Sequence, residues 1–167
     1  MSIIDTLQKL QVKQLKNDSR LVKPGDAFLA YPGEQSDGRE FIQQALDKGA
    51  SAIIYEPASL DLLTDIPLIP QINLADTLGK IAADFYPVPA NILEVTGITG
   101  TNGKTTIAYQ LAQAYELLGQ AAAYMGTLGK GRLSDIQVLN NTTPDALQIQ
   151  RFLYDCIKKN ISHIAME

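Results

Sequence analysis

Between positions 97 and 106 the chain reads Gly-Ile-Thr-Gly-Thr-Asn-Gly-Lys-Thr-Thr. Glycines let a backbone approach an anion without side-chain collision. Here three of them, Gly97, Gly100 and Gly103, lead directly into Lys104 and the hydroxyls of Thr105 and Thr106. The run before the glycines, Ile92–Ile98, is apolar and β-branched, and predicts a strand. The run after them predicts a helix over Lys104–Leu118, closed by Gly119, with Ile107, Leu111, Ala114, Tyr115 and Leu118 as its inner face. Strand, glycine turn and helix together set free N–H groups and a helix dipole against a phosphate chain. The chemistry implied is nucleotide binding by Gly100, Thr101, Asn102, Gly103, Lys104, Thr105 and Thr106. Lys104 would neutralise β- and γ-phosphate oxygens, and Thr105 would offer its hydroxyl to Mg2+. The general pattern G-x-x-x-x-G-K-[ST] wants glycine at position 98, where this chain has isoleucine.

A second group worth chemistry is Glu167. Ser162–Met166 reads as a buried parallel strand, so Glu167 sits at its carboxyl end, where open α/β sheets bind ligands. An acid there can hold Mg2+ from the side opposite Thr105. Position alone leaves a solvated glutamate as the alternative. Cys156 is the single cysteine, on the apolar face of a predicted helix with Leu147, Phe152, Leu153 and Ile157, and reads as a buried small hydrophobe. His163 lies within an apolar strand and reads as structural.

The elements that must position these groups fall into two segments, residues 1–88 and 89–167, divided at Pro87-Val88-Pro89. In the first, Asp26–Tyr31 and Ser51–Tyr55 predict strands, and Ile66–Ile72, broken by two prolines, predicts an edge strand. Between them Phe41, Ile42, Ala45 and Leu46 predict a helix over Gly38–Lys48, stopped by Gly49. Leu74, Leu78, Ile81, Ala82 and Phe85 form a second helical stripe. In the second segment Ala121–Met125 predicts a strand and Asp145–Lys159 a helix. Thr143 is its expected N-cap and Pro144 its first residue. Alternating strands and helices give the α/β class.

Over 167 residues, 46% are apolar and 19% charged, with a net charge of −4. That composition supports a sizeable core and a wet surface. No basic run points to nucleic acid, and no apolar run approaches the ~20 residues of a membrane span. The opening MSIIDTLQKL does not read as a secretory leader, so a cytoplasmic address is expected.

With these residues in view, the chain resembles the Mur ligases, ATP-dependent amide-forming enzymes of peptidoglycan synthesis. Gly100–Thr106 (GTNGKTT) resembles that family's nucleotide loop, which spaces its glycines in this way. Asp18-Ser19-Arg20, Pro24-Gly25-Asp26-Ala27-Phe28, Gly33 and Asp37-Gly38-Arg39 resemble the small α/β uridine-nucleotide-binding N-terminal domain of the members adding the third and fourth residues. Gly126-Thr127-Leu128-Gly129 and Asn141-Thr142-Thr143-Pro144-Asp145 look like the third-residue members, and Ala165-Met166-Glu167 resembles the start of their M-E-V-S-S-H segment. The resemblance implies a three-domain enzyme. Of it, this chain would hold the N-terminal domain and the start of a P-loop, mostly parallel-sheet ATPase domain, and would be a fragment inactive alone.

The same resemblance implies the reaction and the remaining site residues. ATP and Mg2+ would activate the free carboxylate of UDP-MurNAc-L-Ala-D-Glu as an acyl phosphate, and the amine of meso-diaminopimelate or L-lysine would displace the phosphate. Asn17, Ser19, Glu34, Gln35 and Ser36 fall where the uridine end is bound. Asn141, Thr142 and Thr143 fall where the muramoyl-peptide end is contacted, and Asp37, Arg20 and Arg39 read as fold-holding ion pairs. The fourth-residue ligase, a non-catalytic UDP-sugar-binding module and a generic P-loop NTPase are the competing readings. The Thr-Thr-Pro-Asp run speaks against the first, and the displaced glycine with the DSR, PGD and DGR motifs against the last.

Overall fold

In the computed structural model, residues 2–33, 36–57, 64–88, 91–138 and 144–167 are described. They form two compact units, Met1–Phe85 and Tyr86–Glu167. Tyr86 and Val88 lie with the second unit: the Tyr86 carbonyl accepts from Gln150, its ring lies 5.5 Å from that of Tyr154, and Val88 packs in the second unit's core.

In the first unit, helix α1 (Ile3–Lys9) precedes strand β1 (Leu15–Lys16). Strand β2 (Ala27–Ala30), helix α2 (Ile42–Asp47), strand β3 (Ala52–Tyr55), strand β4 (Leu68–Pro70) and helix α3 (Leu74–Phe85) follow. The strands are parallel in the order β1-β2-β3-β4, with Phe28 beside Ile53 and Ile53 beside Leu68. All four residues of β2 are buried, as both faces of a central parallel strand must be. Phe28, Ala30 and Ile53 take one face and pack with Ile42 and Ala45 of α2. The proline-broken run is an edge strand, as predicted, because an edge needs only one set of ladder bonds.

The predicted helix over 38–48 is in fact split. Gly38–Phe41 form a 3-10 turn, α2 begins only at Ile42, and Phe41 is 40% exposed rather than core. The Asp37 carboxylate caps this turn, accepting from the Arg39 N–H and guanidinium, which tightens it. Asp18 and Arg20 repeat the device on the turn Ser19–Leu21. The DSR and DGR motifs are therefore local turn locks. Gly49, with φ +86°, ends α2 as expected.

The second unit runs strand β5 (Glu94–Gly97), helix α4 (Lys104–Leu117), strand β6 (Ala122–Gly126), strand β7 (Gly129–Gly131), helix α5 (Ala146–Lys158) and strand β8 (His163–Met166). The sheet order is β5-β8-β6-β7, parallel except for the β6-β7 hairpin, which the sequence reading did not contain. Side chains alternate across the sheet. Ala123, Met125 and Ile164 meet Phe152 and Cys156 of α5, while Tyr124 and Ala165 meet Ala108 and Ala112 of α4.

Three expectations need correction here. The inner face of α4 is Ala108 and Ala112, with Leu111 and Tyr115 partly covered; Ile107 and Leu118 are 54% and 76% exposed, and Ala114 also faces outward. The helix is apolar on several sides, so periodicity could not choose its face. Ala108 and Ala112 pack with the buried Tyr124, and Tyr109 lies edge-on to its ring. Strand β5 is shorter than Ile92–Ile98 and lies at the sheet edge with Val95 exposed. Helix α5 begins at Ala146 and is capped by Asp145, whose carboxylate accepts from the Gln148 N–H at 2.8 Å, rather than starting at Pro144 as expected; Thr143 lies outside the described residues. A carboxylate at that position satisfies a free amide and favours the helix dipole.

Candidate nucleotide site

The glycine segment joins β5 to α4. The Ile98 N–H is held by the Met166 carbonyl at 2.7 Å, which ties the loop's start to the end of β8. Gly100 (φ +144°) and Gly103 (φ +78°) take conformations that side chains resist, and a Cβ on either would meet no atom closer than 3.9 Å. Backbone geometry, rather than crowding, therefore asks for glycine, and the space beside the loop stays open. Gly103 is the N-cap of α4 and no side chain caps that end. The Lys104 ammonium folds back to the Gly100 carbonyl at 2.8 Å, spanning the loop. Open space, a helix N-terminus and the Lys104 cation at the rim are the features an anion cradle requires.

Glu167 faces the head of α4. Its Oε2 accepts from the Thr105 hydroxyl at 2.9 Å and from the Thr127 hydroxyl at 3.2 Å. Its Oε1 accepts from the Thr127 N–H at 2.8 Å and, at short range, from the Tyr124 hydroxyl. Burial alone would raise the Glu167 pKa; the donors Tyr124, Thr127 and Thr105 outweigh it and hold the carboxyl below its ordinary range. Burial, then the carboxylate beside it, pushes the Tyr124 phenol up to about 12, so it stays a neutral donor. The Glu167 side chain lies across Gly126 so closely that any Cβ there would overlap it. Gly126, Thr127 and Tyr124 are thus contacts of Glu167 that sequence reasoning missed. The Gly126–Gly129 motif was visible, but it gave no sign of reaching a carboxylate 40 residues away.

These groups fit Mg2+ with a nucleotide. Magnesium is held by one or two protein oxygens and completes its shell with phosphate and water. Thr105 and Glu167 supply that many, and no cluster of three acid, cysteine or histidine ligands occurs among the described residues. Cys156 is buried and its thiol is pushed up to about 12 by burial, in keeping with a packing role. His163 stands at the opposite end of β8 from Glu167, edge-on to the Tyr115 ring at 4.1 Å.

In the first unit, Asn17 follows β1, and its amide donates to the Tyr31 hydroxyl at 3.2 Å, which follows β2. Ser19 is buried, and its hydroxyl donates to Gln44 of α2 at 2.5 Å. Ser36 lies in the loop after β2, where its carbonyl accepts from the Gly33 N–H. Asn17 and Ser36 therefore stand beyond the carboxyl ends of neighbouring parallel strands, where α/β sheets collect ligands. Glu34, Gln35, Asn141, Thr142 and Thr143 lie outside the described residues.

Two family models match the chain and leave little of it uncovered: the Mur ligase family catalytic domain over residues 11–86 and the Mur ligase middle domain over residues 98–167. The second begins at the glycine loop and ends at Glu167. The chain belongs to the Mur ligase family. Among Mur ligases it is 45% identical, over 158 residues, to the UDP-N-acetylmuramoyl-L-alanyl-D-glutamate--2,6-diaminopimelate ligase of Coxiella burnetii, covering 93% of this chain and 32% of that protein. The chain thus spans about a third of the length of the relatives it matches. A solved Mur ligase structure of the same enzyme name superposes with a TM-score of 0.70 at 31% identity, over 92% of this chain and 31% of the other. The MurF ligase of Thermotoga maritima, solved in complex with ADP, gives 0.60 at 26% identity, over 95% and 32%. The Mur ligase fold is shared by both, and the diaminopimelate ligase is the nearer on both measures.

Proposed function

We propose that this chain supplies the precursor-binding and nucleotide-binding parts of an ATP-dependent ligase that adds the third amino acid to UDP-MurNAc-L-Ala-D-Glu. The observation that carries the reading is the meeting of Thr105 and Glu167 at the head of α4, beside an open glycine loop. The γ-phosphoryl group of ATP passes to the free carboxylate of the precursor, giving an acyl phosphate and ADP. The amine of the incoming amino acid then forms the amide bond and releases phosphate. The names of the relatives, 2,6-diaminopimelate ligases, favour diaminopimelate over L-lysine as that amino acid.

The chain's own residues answer the main electrostatic difficulty, which is bringing a carboxylate and a triphosphate together. Lys104 swings from the Gly100 carbonyl to the β- and γ-phosphate oxygens. Amides of Gly100, Thr101, Asn102, Gly103 and Thr106 hold the phosphate chain. Thr105 and Glu167 would hold Mg2+, which would supply charge neutralisation at the phosphates. Asn17, Ser19 and the loop Glu34-Gln35-Ser36 hold the uridine end, and Asn141, Thr142 and Thr143 the muramoyl-peptide end. The cytoplasm is the compartment this reading implies. Among the described residues no helix is long and apolar enough to cross a membrane.

Calorimetric titration of the 167-residue chain tests the reading. Both MgADP and UDP-MurNAc-L-Ala-D-Glu are expected to bind. Lys104→Ala should weaken MgADP by about tenfold, the scale of one charge-assisted hydrogen bond, and leave the precursor unaffected. Ser19→Ala should do the reverse. A folded chain that binds neither ligand would overturn the proposal.

A further inference from the structure

Glu167 receives four hydrogen bonds, and they are not equivalent. Oε2 is met by two hydroxyls, Thr105 and Thr127, both free to rotate. Oε1 is met by a backbone N–H, that of Thr127, and by the hydroxyl of Tyr124. Tyr124 is wholly buried, its ring edge-on to Tyr109 at 6.2 Å and packed with Ala108, Ala112 and Ala165. Its oxygen also accepts the Leu128 N–H at 3.3 Å. That second bond directs the phenolic proton toward Glu167. One carboxylate oxygen is therefore fixed by groups that cannot turn away, and the other by groups that can.

We propose that Tyr124 is a positioning residue that commits Oε1 of Glu167 and leaves Oε2 as the single oxygen offered toward Thr105. The inference rests on the nucleotide-site reading given above and goes beyond it, since it assigns a divalent-ion preference to a residue outside the proposed nucleotide and metal contacts. A carboxylate limited to one oxygen suits a small octahedral ion such as Mg2+. One free to offer both suits Ca2+, which accepts bidentate carboxylates and looser geometry. Partners that hold a ligating group typically alter metal affinity by about 10–100-fold when removed. The Tyr124 hydroxyl is such a partner.

The test titrates ADP into the full 167-residue chain in EDTA, in Mg2+ and in Ca2+, for wild type, Tyr124→Phe and Tyr109→Leu. Wild type is expected to bind ADP more tightly with Mg2+ than with Ca2+. Tyr124→Phe keeps the buried ring. It should lose about tenfold of the Mg2+ enhancement, keep most of the Ca2+ enhancement, and bind ADP in EDTA as wild type does. Tyr109→Leu disturbs the ring packing without touching the hydroxyl and should retain the Mg2+ preference. The proposal is overturned if Tyr124→Phe keeps the wild-type preference, or if its loss appears equally in EDTA. It is equally overturned if Tyr109→Leu abolishes the preference, a result that stands whether or not Tyr124→Phe folds. If wild type gains nothing from Mg2+, the nucleotide-site reading falls and takes this inference with it. Failure in the Tyr124 variant alone leaves that reading intact.

Discussion

At Gly126 a methyl group would occupy space that the Glu167 side chain fills. No positive φ is involved, so the requirement for glycine is purely steric. Gly126→Ala is expected to expel Glu167 from its four donors. The change should destabilise the second unit by about 1–3 kcal/mol, the usual penalty for forcing atoms into a filled site, and remove the Mg2+ dependence of nucleotide binding. Urea unfolding and ADP titration with and without Mg2+ would show both effects. An unchanged Mg2+ dependence would mean that Glu167 works from elsewhere. The place of Lys104 and Thr105 at the head of α4 is legible from sequence because the glycine turn that sets it lies within a few residues. That of Tyr124 and Thr127 beside Glu167 is not, because it exists only where β6 and β8 lie side by side.

At the scale of elements, α4 carries the sharpest lesson. Its sequence offered several apolar stripes, and the structure buries the smallest side chains, Ala108 and Ala112, against Tyr124 and Ala165. The larger Ile107 and Leu117 face outward. Hydrophobic burial would by itself favour the bulky residues. Close packing over an aromatic ring decides otherwise, because a tight interior tolerates no added methylene groups. Two substitutions separate these effects. Ala108→Leu should cost about 1–3 kcal/mol through overpacking, whereas Ile107→Gln should change stability by less than about 0.5 kcal/mol. Chemical denaturation of both variants checks this, and equal losses would show that Ile107 is covered in solution. The 3-10 turns at Ser19 and Gly38 teach the complementary point. An aspartate two residues before an arginine locks a turn using its own backbone, so that motif could be read as structural before any fold was known.

At the scale of the molecule, the chain divides into two units with separate cores. Residues 1–88, made alone, are expected to unfold in one cooperative transition and to retain affinity for UDP-MurNAc-L-Ala-D-Glu without any for ADP. Calorimetric melting and titration of that segment would decide it, and a segment without a transition would show that the first core needs the second unit. Alternation of strands and helices, the edge position of the proline-broken strand and the glycine loop between β5 and α4 all follow from sequence alone. The physical reason is that each depends on local backbone chemistry or on the period of apolar residues. Other features were decided only in three dimensions: the buried face of α4, the β6-β7 hairpin, the cap of α5 by Asp145, and the four donors around Glu167. Each depends on which surfaces meet across the sheet, and that is set by volume and hydrogen-bond geometry between residues far apart in the chain.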